Sequence, residues 1–577
     1  MSASFPPSAL LTTVRQFPAV SRVSRKARWL IFAAVCVTTL GFAGFTQHAW
    51  EDYFIAYRIC TNFATGHGPV YTAGEKVQAF SSPLNLLILT ALKAVTGSRS
   101  DELVLWLFRV MGAVLLGTVA VLLYEIARRT SLSRLPTALL IGVFVMDSKV
   151  LDFTINGQES ALMVFFFAWA LHALTVRSKW TTLELGLAGA GLMWTRPDGF
   201  IYITALTVGF MLFSTRLDGY SRLGFFQTLL VAAGITTILY LPWLVWSWYY
   251  FGSPVPHTIL AKGLARDLLK GGSSMNPLPL LGYCLSFPFG MLAGRTAAGG
   301  TFLPPNTLIF GGWHWTAVLF AKGLACLCGL YWCVPFGRPQ GRAVSFAFML
   351  SLIYVSRIAA HAAAWYFPTC TLMGAFVCAQ VVQDGVDWGR SRGDLGDRRA
   401  RFWAGFVCTV GVGVLVATLV LTLCAAYQLR IAQRVIESGA RKQIGLWLRQ
   451  QAASPAESVF LEPLGYIGYF SQLKMLDVPG LCAPEVVAAE RRLKSTSLAK
   501  LIPELRPDWL VLRANEADQI RTQAPRLLAD VYSPVKVFDV SRQLAAYRWL
   551  PGRAYLRYDE KYIVFKRNRP STNPQVP

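Results

Sequence analysis

Two adjacent carboxylates, Glu51 and Asp52, stand just past the first long apolar run, in the stretch Trp50-Glu51-Asp52-Tyr53-Phe54-Ile55-Ala56-Tyr57-Arg58. An ionisable side chain at a membrane boundary is costly to keep dry, so an acidic pair there marks a candidate site. A carboxylate so placed can take a proton from an attacking hydroxyl. The plainer reading is a solvated helix end. Adjacent helical residues point about 100° apart, so the two carboxylates need not share one role.

The elements that must position this pair follow from composition. The chain has 577 residues, 54% hydrophobic, 13% aromatic and 15% charged. Soluble chains carry roughly 25% charged residues, well above this value. Apolar runs recur near 28–47, 103–127, 135–150, 159–176, 182–195, 199–214, 224–250, 306–335, 343–360, 364–383 and 402–427. They predict a polytopic helical membrane protein of about eleven spans. The net charge of +24 lies largely in short loops such as Arg128, Arg129 and Arg134, or Arg390, Arg392, Arg398, Arg399 and Arg401. That is the positive-inside pattern, and it places the amino terminus in the cytoplasm. No basic stretch interleaved with aromatics appears, which argues against nucleic acid as a partner.

The first 27 residues form a basic segment, followed by an uncleaved first span. A membrane domain then covers 28–428, with long outer segments at 48–102 and 251–305. Within the first, Pro83 to Val95 reads as a helix lying in the interface. Residues 429–577 have the composition of an extracytoplasmic soluble domain. A polar helix (Arg430 to Gln451) precedes short strand-like runs at 458–461, 473–477, 509–513, 535–540 and 562–566, the alternation of a small α/β domain. The 11 cysteines show no metal-ligand spacing and read mostly as small buried hydrophobes; a bridge between Cys60 and Cys482 cannot be inferred.

Several motifs in order carry a family resemblance. Glu51-Asp52-Tyr53-Phe54-Ile55-Ala56-Tyr57-Arg58 is followed by Gly66-His67-Gly68-Pro69-Val70 and Gly74-Glu75-Lys76-Val77-Gln78. Further on come Asn156-Gly157-Gln158-Glu159-Ser160, Thr195-Arg196-Pro197-Asp198-Gly199, Phe251-Gly252-Ser253-Pro254-Val255-Pro256-His257-Thr258 and Asp477-Val478-Pro479-Gly480-Leu481. Together they resemble the GT-C membrane glycosyltransferases, nearest the actinobacterial terminal arabinofuranosyltransferase branch. Glu51 departs from the aspartate usual at its position.

The resemblance implies an inverting transfer of a sugar, in that branch arabinofuranose, from a polyprenyl-phosphate donor. The acceptor would be a cell-envelope glycan or glycolipid on the extracytoplasmic face of the plasma membrane, and membrane lipid would surround the spans. Asp52 corresponds to the base, with Glu51 beside it to orient the acceptor or help bind a cation. A divalent ion there is left open, since no metal signature is present.

Candidates to hold the donor phosphate are Arg58, Arg196, His257, Lys262, Arg357 and His361. Arg196 reads as readily as an ion pair with Asp198. Arg357 and His361 share a helix face as a phosphate clamp or a snorkelling pair. Glu159 and Gln158 are candidates for acceptor hydroxyls, although Glu159 fits better as a cap on its own helix. Asp147 and Asp152 read as solvated edge residues, and Trp243, Trp246 and Trp248 as an interfacial belt. A lipid transporter or flippase, or an inactive assembly subunit on the same scaffold, are the alternatives.

Overall fold

A computed structural model describes residues 24–97, 100–213, 221–270, 277–358, 363–393 and 398–568. Among them, six helices are long and apolar enough to cross a membrane: Arg25–Thr46, Asp101–Arg129, Arg222–Phe251, Trp315–Cys333, Ala364–Arg392 and Arg398–Gln451. Ser148–Ile155 and Ser160–Val176 bend by 116° and make a seventh if taken as one broken span. Pro83–Thr96, Arg134–Val145, Gly199–Phe213 and Leu278–Leu292 are shorter apolar helices.

Some of the expected apolar runs are broken into shorter helices, and the breaks have local causes. The run expected over 135–150 stops at Val145, because Asp147 accepts from the amides of Lys149 and Val150 and starts a new helix. The run over 306–335 is interrupted by Gly311 and Gly312, both at positive φ. The expected loop 251–305 is substantially helical, with His257–Lys270 and Pro277–Leu292.

The tail forms a five-stranded sheet of β1 (Ser458–Leu461), β2 (Lys474–Asp477), β3 (Trp509–Arg513), β4 (Tyr532–Asp539) and β5 (Lys561–Arg567), in the order β2-β1-β3-β5-β4. β1 pairs in parallel with β2 and β3, and β5 runs antiparallel between β3 and β4. Side chains alternate across a strand, so the sheet has two apolar faces. Phe460, Leu510, Leu512 and Phe565 pack towards the helices Pro484–Leu493 and Leu498–Leu505. Val459, Leu461, Val511 and Val564 join one core with Tyr53, Phe54 and Tyr57 of the helix Glu51–Ala64. The tail is therefore packed onto the helix that carries the acidic pair.

Candidate active site

The acidic pair occupies the first turn of Glu51–Ala64, where the helix dipole favours negative charge. Its entry is fixed from behind: the Trp50 amide donates to the Asn156 carbonyl at 3.0 Å. Gly157 holds φ +94, and a Cβ there would lie 2.1 Å from the Tyr53 ring, so the turn Asn156–Glu159 can press on the site helix only with glycine. Asp152 is fully buried, with His48 Nδ1 2.6 Å away and Asn156 donating to it at 3.1 Å. Arg109 donates to the carbonyls of His48 (3.0 Å) and Ile155 (3.2 Å). Asp147 is buried too, paired with Lys149 at 2.8 Å. Neither aspartate is a solvated edge residue: each satisfies buried donors, as a buried charge must.

A cavity of about 100 Å³ opens in front of Asp52, lined by Gln158, Glu159, Arg196, Thr258 and Lys262 among others. Arg196 is held by Glu159 (2.8 Å), by Asp198 (2.9 Å) and by stacking over Tyr366. Glu159 thus stands at the start of its helix without capping it; its carboxylate orients Arg196. The ammonium of Lys262 lies 5.5 Å from the centre of the Trp365 ring and makes no ion pair among the described residues. Burial lowers the Lys262 ammonium below its usual range, opposed by the carboxylate of Asp52. Burial likewise raises the Asp52 carboxyl, opposed by Lys262 and reinforced by Glu159 and Glu462. The Asn85 Oδ1 and Thr258 Oγ1 atoms of cavity-lining residues are buried without a protein partner.

The remaining phosphate candidates fall elsewhere. Arg58 donates to the carbonyls of Gly468 (2.8 Å) and Leu473 (3.0 Å) and stacks over Tyr71, so it ties the tail to the site helix. His257 lies beside Asp477 and Gly480, where its backbone amide donates to Gln78 at 3.1 Å. Arg357 sits over the Tyr283 ring and does not line the cavity. His361 lies outside the described residues. Trp243 is buried against Trp194 and Phe80 rather than set in a lipid-facing belt.

A second cavity of about 220 Å³ lies on the tail side of the pair. Glu51 and Asp52 line it together with His48, Glu437, Arg441, Glu462, Arg513 and Asp559. Asp559 bridges Arg441 (2.8 Å) and Arg513 (2.7 Å), and Arg441 also pairs with Glu437 (2.7 Å). Burial works to raise the Asp559 carboxyl, but the two guanidinium groups outweigh it and hold it below the ordinary range. Glu51 accepts from the Gly465 amide, at a place where any Cβ on residue 465 would collide with the Glu51 carbonyl. Burial holds the Glu51 carboxyl well above its ordinary value despite Arg441. Sequence reasoning missed Arg441, Arg513 and Asp559. Their only signal was charge at the ends of tail strands and helices, with no motif around it.

An apolar groove of about 630 Å³ runs between the helices Thr181–Thr195, Gly199–Phe213 and Arg222–Phe251 and ends at Pro254, Pro256 and Ile259. The helix His257–Lys270 therefore joins the two spaces, with Ile259 in the groove and Thr258 and Lys262 in the Asp52 cavity. Among the described residues no group of three or more His, Cys, Asp or Glu side chains is arranged to hold a metal ion.

The fold has known counterparts. The chain takes up 89% of its length and 72% of the other in a superposition on the oligosaccharyltransferase of Archaeoglobus fulgidus, with TM-score 0.54 and 12% identity. On the complex of that enzyme with an inhibitory peptide and a dolichol-phosphate, the TM-score is 0.50 at 14% identity, over 87% and 71% of the two chains. The fold is thus shared with that archaeal oligosaccharyltransferase, in line with the GT-C scaffold that the ordered motifs imply. Among curated proteins the chain is similar to two terminal beta-(1->2)-arabinofuranosyltransferases. That of Corynebacterium glutamicum is 31% identical over 40% of this chain and 35% of its own length. That of Mycobacterium tuberculosis is 29% identical over 49% and 46%. The chain thus spans less than half the length of these relatives. Residues 428–564 match the family described as "Domain of unknown function (DUF8728)".

Proposed function

We propose that the protein is an inverting membrane glycosyltransferase. It moves a sugar, arabinofuranose on the strength of its relatives, from a polyprenyl phosphate to a cell-envelope glycan or glycolipid on the extracytoplasmic face. The observation that carries this reading is that Asp52 lines two cavities at once: one holds Lys262 and Arg196 and shares the helix His257–Lys270 with an apolar groove, and the other is polar and reaches the tail sheet.

In this reading the prenyl chain lies in the groove and the phosphate meets Lys262 and Arg196. The sugar fills the first cavity, where Asn85 and Thr258 offer buried polar atoms without partners. The acceptor hydroxyl comes from the second cavity, between Glu51 and the Arg441–Arg513 pair. As its oxygen attacks the anomeric carbon, its proton passes to Asp52 and the bond from that carbon to the phosphate oxygen breaks. Attack from the side opposite the phosphate inverts the anomeric centre. The negative charge gained by the departing phosphate is stabilised by Lys262 and Arg196.

The test is transfer from radiolabelled polyprenyl-phosphate sugars by the purified full chain, wild type against Asp52→Asn. Transfer by the wild type and its loss in Asp52→Asn support the reading. Full activity in the variant removes Asp52 as base. No transfer from any donor returns the scaffold to a lipid transporter or an assembly subunit.

A further inference from the structure

A cavity of about 270 Å³ in the tail is lined by Arg548, Arg553 and Arg557, and Glu560 is the one carboxylate in its wall. It shares no lining residue with either cavity at Asp52. Arg557 approaches Glu560 only at 4.0 Å and is largely exposed, while Arg548 and Arg553 make no ion pair among the described residues. Three arginines against one carboxylate in the wall of one hollow leave an excess of positive charge that suits a phosphodiester.

Its position indicates where that phosphodiester comes from. Tyr547, in the cavity wall, and the neighbouring Trp549 have ring centres 6.3 and 5.6 Å from Tyr427. Tyr427 stands near the end of the helix Arg398–Ile431, just beyond an outward-facing apolar stripe that includes Val416, Val420 and Leu423. Two hydrogen bonds fix the turn at Gly552: its amide donates to the Gly312 carbonyl, and its carbonyl accepts from Gln428, both at 2.9 Å. Gly312 lies three residues before the exposed Trp315 at the start of another apolar helix. Trp549 is 67% exposed and packs against Tyr427 at one of these helix ends. Exposed Trp and Tyr at the ends of apolar helices mark the headgroup layer of a bilayer, and a basic hollow beside them faces headgroup phosphates.

We infer that residues 541–558 form a foot on which the tail stands on the membrane, with Trp549 in the headgroup layer and the three-arginine hollow holding an anionic phospholipid headgroup. The site is separate from the transfer chemistry and does not depend on it. It ties the tail, and with it the Arg441–Arg513 wall of the second cavity, to the membrane surface.

The test uses the full chain in nanodiscs containing brominated phosphatidylglycerol or brominated phosphatidylcholine. The Trp549 contribution is the emission of wild type minus that of Trp549→Phe. The expected result is quenching by both lipids, severalfold stronger with phosphatidylglycerol, and loss of that preference in the combined variant Arg548→Gln, Arg553→Gln, Arg557→Gln. Should the combined variant fail to fold, Arg557→Gln alone, at an exposed position, is expected to weaken the preference. An unquenched Trp549 overturns the foot. Equal quenching by the two lipids overturns the anionic site, as does a preference that survives both the combined and the single variant.

Discussion

Asp52 and Lys262 face one cavity from two different helices, Glu51–Ala64 and His257–Lys270, and each opposes the shift that burial imposes on the other. The aspartate is pushed towards its neutral form and the ammonium towards its own, while their mutual attraction favours the charged forms of both. Such a pair suits a base that must be ionised before it acts and a cation that must be charged when phosphate leaves.

The first prediction concerns pH. In the proposed reaction Asp52 acts only as carboxylate, so transfer is expected to rise with pH through the Asp52 titration. That limb is expected above the ordinary aspartate value of 3.8, because burial raises it. Lys262→Met removes an opposing positive charge, so the limb moves further up. A pH profile of kcat/KM for wild type and variant measures this, and an unmoved limb contradicts the coupling.

A second prediction separates the two cations. Losing a hydrogen bond to a charged group costs about 1.5–3 kcal/mol, or roughly ten- to a hundredfold. Arg196→Met and Lys262→Met are each expected to lower donor kcat/KM by that order. Glu159→Gln keeps the guanidinium but loosens its hold, and a smaller loss is expected. Steady-state kinetics with donor varied would show the ranking, and an effect confined to acceptor KM would count against it.

The groove gives a third. Ala233→Trp fills part of the apolar space between the helices Gly199–Phe213 and Arg222–Phe251. Donors with long prenyl chains should bind more weakly, whereas a donor carrying a short chain should be used nearly as well as by wild type. Equal losses for both donors would place the chain somewhere else.

Arg58 supplies a control of a different kind. Its contacts are carbonyls of the tail, so Arg58→Met is expected to destabilise the folded chain by about 3 kcal/mol and lower the thermal midpoint. The donor KM of the molecules that remain folded should stay near wild type. A raised donor KM with unchanged stability would restore Arg58 as a phosphate ligand.

Much of the fold was legible because it is written locally. The run Trp-Leu-Val-Leu-Arg at 509–513 is a strand, and the run over 160–176 a helix, for reasons contained in each stretch: apolar side chains, β-branching and flanking turns. The motif glycine at 157 was legible too, although its reason, the Tyr53 ring, was not. The breaks within the runs were not legible, because a run of apolar residues does not reveal where an aspartate such as Asp147 will restart a helix.

By itself, the sequence determined the helical membrane scaffold, the strands of the tail and the acidic pair opening its helix. Burial pattern and helix signals act over a few residues and need no partner. Only the tertiary structure decided which cations meet Asp52. Arg58 lies six residues away and turns to the tail, while Lys262, 210 residues on, reaches the cavity. It also brought Arg441, Arg513 and Asp559 behind Glu51. Which charges share a cavity depends on packing between distant segments, and no spacing along the chain encodes that.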